Sequence, residues 1–480
     1  MKPSLLTWGL LAFAGSLAGA PATAPSRYLF LDPAFVREAQ GATLQANPPL
    51  REERVMISDR PWETLMISLY VTVRDEGGKL RMWYICRDKE QNGNVAYAES
   101  VDGLNWTKPE LGISEYAGST ANNLVGISSL EGAPFRDPRG AGDEQYVYLS
   151  TGKGGVFRYT SPDGLRWQRH DQPLVRFAPD TQNVAFWDEV RGKYRFYTRG
   201  KDPKAKHEHT SHRKVILLET DSLVGQLGED RKQEPGVSMK ELPVMLKIDE
   251  QDPRDVDIYT NSIQPYPLDP HWYVGFPAFY RHYNGNSPHF NDGRTEVQFA
   301  GSSDGLIWHR YGRGVYAGPG SPGPESGSMV FMGTGLVVRG DEIWQYGTRF
   351  RTTHGDKPGR LQQTDGSIYR FVQRVDGFVS LDTGNDVGTA RTAPVKVTGR
   401  RLLLNLATGA LGGMQVGLLG SDGLPLPGFA VEDCQRLEID STGSVVTWTG
   451  GADLSALQGR EVILRFRSNR TKLYSLRFEN

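Results

Sequence analysis

The chain contains the stretch Ser100-Val101-Asp102-Gly103-Leu104-Asn105-Trp106, which recurs as Ser161-Pro162-Asp163-Gly164-Leu165-Arg166-Trp167 and as Ser303-Asp304-Gly305-Leu306-Ile307-Trp308. Each copy follows a run typical of a β-strand, and Asp-Gly between two such runs favours a hairpin because glycine accepts a positive φ. The tryptophan begins the returning strand, where its ring fills space between neighbouring sheets. A hairpin repeated in this way predicts the blades of a β-propeller.

Two weaker copies extend the repeat, namely Thr220-Asp221-Ser222-Leu223 and Arg374-Val375-Asp376-Gly377-Phe378. Together the hairpins occupy the chain from about residue 58 to about residue 381. Their number predicts five blades, with four or six as alternatives. We expect the hairpins themselves to stabilise the fold and to take no part in chemistry.

The pattern changes near the C-terminus, where short alternating strands follow a stretch rich in glycine and threonine. Runs such as Leu402–Leu406 and Val462–Phe466 alternate without a helical period, which favours a β-sandwich. The sequence therefore predicts an all-β protein, a five-bladed β-propeller followed by a C-terminal β-sandwich. The expected limits are a signal peptide at 1–22, the propeller at 23–382, a linker at 383–399 and the sandwich at 400–480.

The composition excludes several classes of partner. The formal net charge of the 480 residues is −1, which argues against a nucleic-acid or membrane-surface partner. Lys2, the apolar run Leu5–Leu17 and small residues up to Ala22 are typical of a secretory signal, so we expect a secreted or periplasmic protein.

The number and spacing of the cysteine and histidine residues predict neither a metal site nor a set of disulfide bonds. Cys86 and Cys434 are the two cysteines, and we expect both to be buried free thiols in different domains. His207-Glu208-His209 with His212 lies in a polar run that favours a solvated loop. We assign no residue as a metal ligand, and the mechanism considered below requires no cofactor, although any bound metal ion, the cofactor and the oligomeric state stay undetermined.

Several motifs together resemble those of exported bacterial proteins related to glycoside hydrolase families 32 and 43. They are Asp59-Arg60-Pro61-Trp62-Glu63, Met82-Trp83-Tyr84, Tyr97 to Gly103, Trp106 to Gly112, Asn122-Asn123, Asp180-Thr181-Gln182-Asn183, Phe186-Trp187-Asp188, Arg374 to Leu381 and Leu473 to Phe478. The resemblance covers nearly the whole mature chain and implies a glycosidase with acids converging at one mouth of the central channel. Glycoside cleavage needs one protonated and one ionised carboxyl group, and a narrow acid-lined channel separates their pKa values.

The resemblance and the strand pattern together suggest the residues that carry this chemistry. We expect Glu325 as the proton donor and Asp180, Asp257 or Glu63 as the base or as a carboxylate that adjusts the donor's pKa. The expected substrate-binding residues are Asp59, Arg60, Trp62, Glu131, Asn183, Arg199, Tyr259, Arg351 and His354. Arg60, Arg199, Arg349 and Arg351 hint at an acidic sugar.

Two alternatives remain open from the sequence. One is a non-catalytic propeller that binds carbohydrate through the same acids. The other is a polysaccharide lyase, which needs a Tyr, His or Lys base beside an arginine that neutralises charge. The sugar, its linkage and the stereochemistry of cleavage are not determined, because the last depends on the separation of the carboxyl groups.

Overall fold

The computed structural model describes residues 25–201, 213–225, 240, 242–283, 292–320, 327–355 and 365–480. Within these ranges the chain is all-β, with strands, short 3-10 turns and no α-helix. The 3-10 turns are Pro33–Phe35, Pro61–Glu63, Gly142–Glu144, Val431–Asp433 and Ser455–Leu457. The described part of the chain has no helical segment of the length and apolarity that a membrane crossing requires.

The strands of the described residues form seven hydrogen-bonded sheets. The N-terminal strands are β1 (Arg27–Leu29), β2 (Val36–Gln40), β3 (Ala42–Ala46) and β4 (Arg51–Met56). Sheet I contains β5 (Met66–Ile67), β6 (Thr72–Glu76), β7 (Lys79–Arg87) and β8 (Gly93–Ser100). Sheet II contains β9 (Phe135–Arg136), β10 (Tyr146–Gly152), β11 (Gly155–Ser161) and β12 (Gln168–Val175). Sheet III contains β13 (Val184–Asp188), β14 (Lys193–Lys201), β15 (Arg213–Thr220) and β16 (Val244–Leu246).

The remaining strands form group IV, sheet V and the terminal sheet. Group IV consists of two three-stranded sheets built from β17 (Val256–Thr260), β18 (Gln264–Pro265), β19 (Tyr273–Gly275), β20 (Ala278–His282), β21 (Gly293–Val297) and β22 (Ala300–Ser302). Sheet V contains β23 (Met329–Met332), β24 (Val337–Arg339), β25 (Glu342–Phe350) and β26 (Ser367–Arg374), with β4 at its edge. The terminal sheet joins β1, β2 and β3 to β27 (Val379–Thr383), β28 (Gly388–Thr392), β29 (Val395–Lys396), β30 (Arg401–Leu419), β31 (Asp440–Val445) and β32 (Glu461–Glu479).

Sheets I, II and III, group IV and sheet V are arranged in a ring, in which each contacts the next and sheet V contacts sheet I. Below, "sheets I to V" includes group IV. Strand β9 contacts β13, β15 contacts β17, β21 contacts β23, and β24 contacts β6. Sheets I and II share an apolar cluster that includes Trp83 and Tyr146. Neighbouring sheets are bridged in parallel at Met66–Asp365, Thr72–Thr334 and Gly132–Asn183. The innermost segments therefore run in one direction around a common centre.

The repeated Ser-x-Asp-Gly stretches form the predicted turns. In the first copy, the Ser100 hydroxyl accepts a hydrogen bond from the Gly103 N–H at 2.9 Å, and Asp102 Oδ1 accepts from the Leu104 N–H at 2.9 Å. Gly103 has a φ of +73°, as the hairpin argument required. In the third copy the equivalent serine is Ser302, whose hydroxyl accepts from the Gly305 N–H at 2.8 Å, and not Ser303.

Each of these turns also binds the preceding sheet of the ring. Buried side chains donate to the glycine carbonyl oxygens, as Tyr346 does to Gly103 at 3.0 Å, Trp83 to Gly164 at 2.7 Å and Tyr197 to Gly305 at 2.7 Å. The two weaker copies also accept hydrogen bonds from the preceding sheet. Arg139 donates to the Asp221 carbonyl at 3.0 Å, and Tyr266 donates to the Asp376 carboxylate at 2.6 Å. The turns thus join all five members of the ring.

The terminal sheet differs from the expected linker and C-terminal sandwich. The stretch 383–399 contains β28 and β29, and β1, β2 and β3 pair with β32, β28 and β27. Gly388, Ala390 and Thr392 alternate inward along β28. Because these inward side chains are small and partly polar, the segment lacks the apolar signal that marks a strand in the sequence.

The thiols of Cys86 and Cys434 are free and buried, as expected. No group of three or more metal-ligating side chains occurs among the residues that the structure describes. The signal-peptide segment, the His207–His212 motif and Glu325 all lie outside the described residues.

Candidate functional site

Six side chains from sheets I to V lie at one end of the ring, and we call them the mouth cluster. They are Tyr70, Glu131, Asp180, Arg199, Tyr259 and His354. Tyr70, Glu131 and Asp180 each come a few residues before the inner strands β6, β9 and β13. Since the innermost segments run in one direction, the residues that precede them converge at the same end.

Arg199 connects sheet III to group IV beneath this end. Its side chain is only 3% exposed, and it donates to the backbone carbonyl oxygens of Asp180 and, at 2.7 Å, Tyr259. The guanidinium lies 4.6 Å from the centre of the Tyr259 ring. The Asp180 carboxylate is 3.9 Å away and its side chain is 78% exposed. Arg199 therefore positions the backbone of Asp180 while leaving its carboxylate open to solvent.

Tyr259 and His354 form a hydrogen-bonded pair. The Tyr259 hydroxyl oxygen lies 2.9 Å from His354 Nε2. The ring of Tyr280 packs against both, with centroids at 5.6 Å from Tyr259 and 5.1 Å from His354. The pair thus places a phenol and an imidazole beside the buried Arg199 cation.

Backbone strain occurs where the chain enters the inner segments. Tyr70, Asp180 and Ser262 have φ values of +77°, +49° and +43°, which non-glycine residues rarely adopt. Such residues concentrate at functional sites, where the surrounding structure holds them in place.

Glu131 has the electrostatic environment expected of a proton donor. Burial raises its pKa, and the negative charge of Asp180 raises it further. The Ser150 hydroxyl donates to Glu131 Oε2 at 3.2 Å and opposes this shift. An open groove of about 610 Å³, lined largely by polar residues such as Asn92, adjoins Glu131.

Asp257 is close to the mouth cluster but is buried. Its Oδ2 accepts from Arg213 Nη1 at 2.8 Å and lies 3.3 Å from His282 Nε2, while Oδ1 has no hydrogen-bond partner among the described residues. The Arg213 guanidinium also lies 5.1 Å from the Tyr259 ring. Asp257 is therefore placed to influence the charge of the cluster and not to touch a substrate directly.

Glu63 belongs to a separate, closed network. Its fully buried carboxylate accepts from Lys108 Nζ at 2.7 Å, the Tyr84 hydroxyl at 2.6 Å and the Asp59 N–H at 2.9 Å. Trp62 is buried edge-on against Tyr116. The 3-10 turn Pro61–Glu63 directs these side chains into the contact between sheets I and V, which a strand-start pattern does not predict.

The other residues expected to bind substrate differ in their exposure to solvent. Arg60 is exposed and lies 3.7 Å from the Asp59 carboxylate. Asn183 is fully buried, and its Oδ1 accepts from the Thr198 hydroxyl at 2.8 Å. Arg351 lies 3.7 Å from Asp365, a buried carboxylate that also caps the backbone N–H groups of Arg351 and Gly366.

Sequence reasoning missed three residues of this region. Tyr70 lies inside an ordinary strand-like run, and Arg213 and Lys201 flank a polar stretch, so none carries a local signal. Burial lowers the pKa of Lys201, as do the nearby charges of Arg199 and Arg213. Their position near the mouth cluster is evident only from the folded structure.

Solved structures similar to this chain include glycoside hydrolases. A thermostable family-43 glycoside hydrolase has a TM-score of 0.42 at 11% identity, covering 64% of this chain and 88% of its own. An arabinoxylan arabinofuranohydrolase of family 43 from Bacillus subtilis has 0.40 at 12%, covering 86% and 96%. The α-L-arabinofuranosidase from Podospora anserina has 0.42 at 9%, covering 66% and 95%.

No protein-family model and no curated protein matches the chain.

Proposed function

We propose that the protein is an exported glycoside hydrolase of a poly- or oligosaccharide, with its active site at the mouth cluster. In this proposal sheets I to V are the blades of a five-bladed β-propeller and the terminal sheet forms a β-sandwich. The closed order of contacts and the five turns that bind preceding sheets support the first part.

One observation carries the proposed chemistry, namely two nearby carboxyl groups in different environments. Burial raises the pKa of Glu131, which favours its protonated form, whereas Asp180 is open to solvent beside a cation. Glycosidases require this division of roles. Glu131 donates its proton to the leaving oxygen, and Asp180 acts on the opposite side as base or nucleophile.

The remaining residues position the pair and the sugar. Arg199 holds the Asp180 backbone, and its guanidinium packs against the Tyr259 ring. Glu325, the donor expected from the sequence, stays a candidate for the same role, and the experiment below includes it.

The test measures hydrolysis of a panel of aryl glycosides and polysaccharides by purified variants. Glu131→Gln and Asp180→Asn should each lower kcat by on the order of 10²- to 10⁴-fold. Glu144→Gln, which removes a half-exposed acid paired with Arg158 on sheet II, is the control and should leave kcat unchanged. A loss of only a few-fold for Glu131→Gln, together with a large loss for Glu325→Gln, would transfer the donor role to Glu325.

The Tyr259–His354 pair favours a polysaccharide lyase as a second candidate. A tyrosine hydroxyl 2.9 Å from an imidazole, with a buried arginine beneath its ring, suits abstraction of a proton next to a uronate carboxylate. Products absorbing in the ultraviolet, lost in Tyr259→Phe, would establish this activity. Binding of glycans without any product would instead support a non-catalytic carbohydrate-binding propeller.

A further inference from the structure

An arginine at the mouth end of sheet I has a guanidinium that no described residue binds. Arg87 is the last residue of β7, which pairs antiparallel with β5 and β6 and therefore ends where the inner segment begins. Its guanidinium makes no hydrogen bond or ion pair within the described part of the chain. The side chain is half-buried, and none of its nitrogen atoms is enclosed. The guanidinium is thus accessible to a ligand.

The four arginines that the sequence suggested for an acidic sugar each contact another group of the protein. Arg199 donates to two backbone carbonyl oxygens, and Arg349 donates to a glutamate carboxylate at 2.6 Å. Arg60 and Arg351 each lie 3.7 Å from an aspartate carboxylate. Arg87, which carries no signal in the sequence, is the better placed cation.

Arg87 lines the open groove of about 610 Å³ that adjoins Glu131. Because Arg87 belongs to sheet I and Glu131 precedes β9 of sheet II, the groove lies between these two sheets. Most other lining side chains are amides or hydroxyls, namely Gln91, Asn92, Asn94, Ser128, Ser129 and Thr151. Such groups exchange hydrogen bonds with the hydroxyls of a sugar, so the groove suits a ligand rich in hydroxyl groups.

The groove has a positive charge whenever Glu131 is protonated. Arg87 and Glu131 are the charged residues of its lining, and they form no ion pair with each other. Burial raises the pKa of Glu131, and the Ser150 hydrogen bond and the Arg87 charge oppose this rise without reversing it. A general acid must be protonated to act, and in that state the lining carries the Arg87 charge alone.

Two neighbouring residues shape the groove around Arg87. Gly93 faces Arg87 across β7 and β8, and a Cβ on it would lie 3.5 Å from Arg87 Nη1 and 2.5 Å from Leu130 Cδ1. The missing side chain therefore leaves room beside the guanidinium. The buried Asp88 carboxylate accepts from the Asn92 N–H at 2.8 Å and from Asn92 Nδ2 at 2.9 Å. These bonds orient the Asn92 amide and leave its Oδ1 as an acceptor for a ligand hydroxyl.

We propose, on the basis of the proposed hydrolase site, that this groove binds a uronic acid unit of the substrate and that Arg87 binds its carboxylate. The planar guanidinium donates two parallel hydrogen bonds to a planar carboxylate, which a neutral sugar does not offer. Asn92 accepts from a hydroxyl of the same unit. Since Arg87 and Glu131 line one groove, the acidic unit lies beside the glycosidic oxygen that Glu131 protonates.

The test measures binding and not turnover, so that its outcome is separate from that of the hydrolase proposal. The probes are oligogalacturonate, oligoglucuronate and oligomannuronate, each beside its neutral methyl ester. They are titrated by calorimetry into the full-length mature protein carrying Asp180→Asn, which limits cleavage. At least one free acid should bind about tenfold more tightly than its ester, because the ester loses a charge-assisted pair of hydrogen bonds.

Two results of this titration would overturn the proposal. One is the absence of a preference for the free acid in all three pairs. The other is tighter binding of a sulfated neutral oligosaccharide than of every uronate, which would show that the anion recognised is a sulfate.

A matched pair of variants tests Arg87 itself. Arg87→Gln in the same background should abolish the preference for the free acid. Arg136→Gln removes the same charge from an exposed arginine of β9 that does not line the groove, and the preference should persist. A preference retained in folded Arg87→Gln, or lost equally in Arg136→Gln, would refute the assignment. If Arg87→Gln fails to fold, the comparison of acid with ester decides the proposal.

Failure of the hydrolase proposal has a different signature. Unchanged kcat in Glu131→Gln and Asp180→Asn would reject the catalytic roles, while the ratio of acid to ester affinity would still report on Arg87.

Discussion

At the scale of single residues, two glutamates that look alike in the sequence have different surroundings in the structure. Glu131 is a lone acid before a strand, and burial raises its pKa. Glu63 occupies a similar place in the sequence but is fully buried beside Lys108 and Tyr84. The same residue type thus has a raised pKa in one place and lies in a closed network of hydrogen-bond donors in the other.

The pH dependence of activity tests the role of Glu131. A general acid works only while protonated, so activity should fall as pH rises through its pKa, which lies above the ordinary glutamate value. Ser150→Ala removes a hydrogen bond that favours the charged form, so the pKa should rise further and the basic limb of kcat/KM should move to higher pH. Ser129→Ala is the control, because that hydroxyl donates to the Thr151 carbonyl. A basic limb that does not move in Ser150→Ala would contradict the assignment.

The role of Glu63 is tested by stability. Glu63→Gln leaves the Lys108 ammonium, whose side chain is 4% exposed, with less compensation and should reduce the free energy of unfolding by about 3–5 kcal/mol. Denaturant unfolding measures this, and kcat of the folded fraction should not change. A large loss of kcat at unchanged stability would return Glu63 to the catalytic group.

At the scale of elements, the Ser-x-Asp-Gly turn is both a hairpin and a joint between sheets. Its internal hydrogen bonds close within a few residues, while its glycine carbonyl accepts from the preceding sheet of the ring. A Cβ on Gly305 would lie 1.9 Å from Arg195 Nη1. The glycine is therefore required by the contact as well as by its φ.

Two glycine substitutions separate these requirements. Gly77→Ala changes a turn with a φ of +67° and open space around the new Cβ, so it should cost about 1–2 kcal/mol. Gly305→Ala, at +72°, adds the clash with buried Arg195 and should cost clearly more. Chemical denaturation of both variants gives the comparison, and equal losses would show that the joint contributes nothing.

At the scale of the whole molecule, the N-terminal segment belongs to two assemblies. Strands β1, β2 and β3 join the terminal sheet, while β4 pairs with β26 in sheet V. Arg27 also binds the buried Asp376 carboxylate at 2.6 Å, and the Ser475 hydroxyl donates to the same carboxylate at 2.5 Å. The ring and the terminal sheet are thus coupled through the chain ends.

A fragment experiment follows from this coupling. A fragment of residues 400–480, the domain predicted from the sequence, lacks the partners that β32 finds in β1, β27 and β28. It should be unfolded by circular dichroism and NMR, whereas the mature full-length chain should unfold in one cooperative transition. A folded fragment, or two separate transitions in calorimetry, would contradict the coupling.

The sequence by itself determined the all-β class, the hairpin turns and the free thiols. These features depend on interactions that close within a few residues, such as Ser100 to Gly103, or on composition. The tertiary structure alone decided that Tyr70, Asp180 and Tyr259 share one site, that Glu63 turns away to Lys108, and that β1 to β3 complete the terminal sheet. Their contacts join segments far apart in the chain, and closure of the ring determines which segments meet.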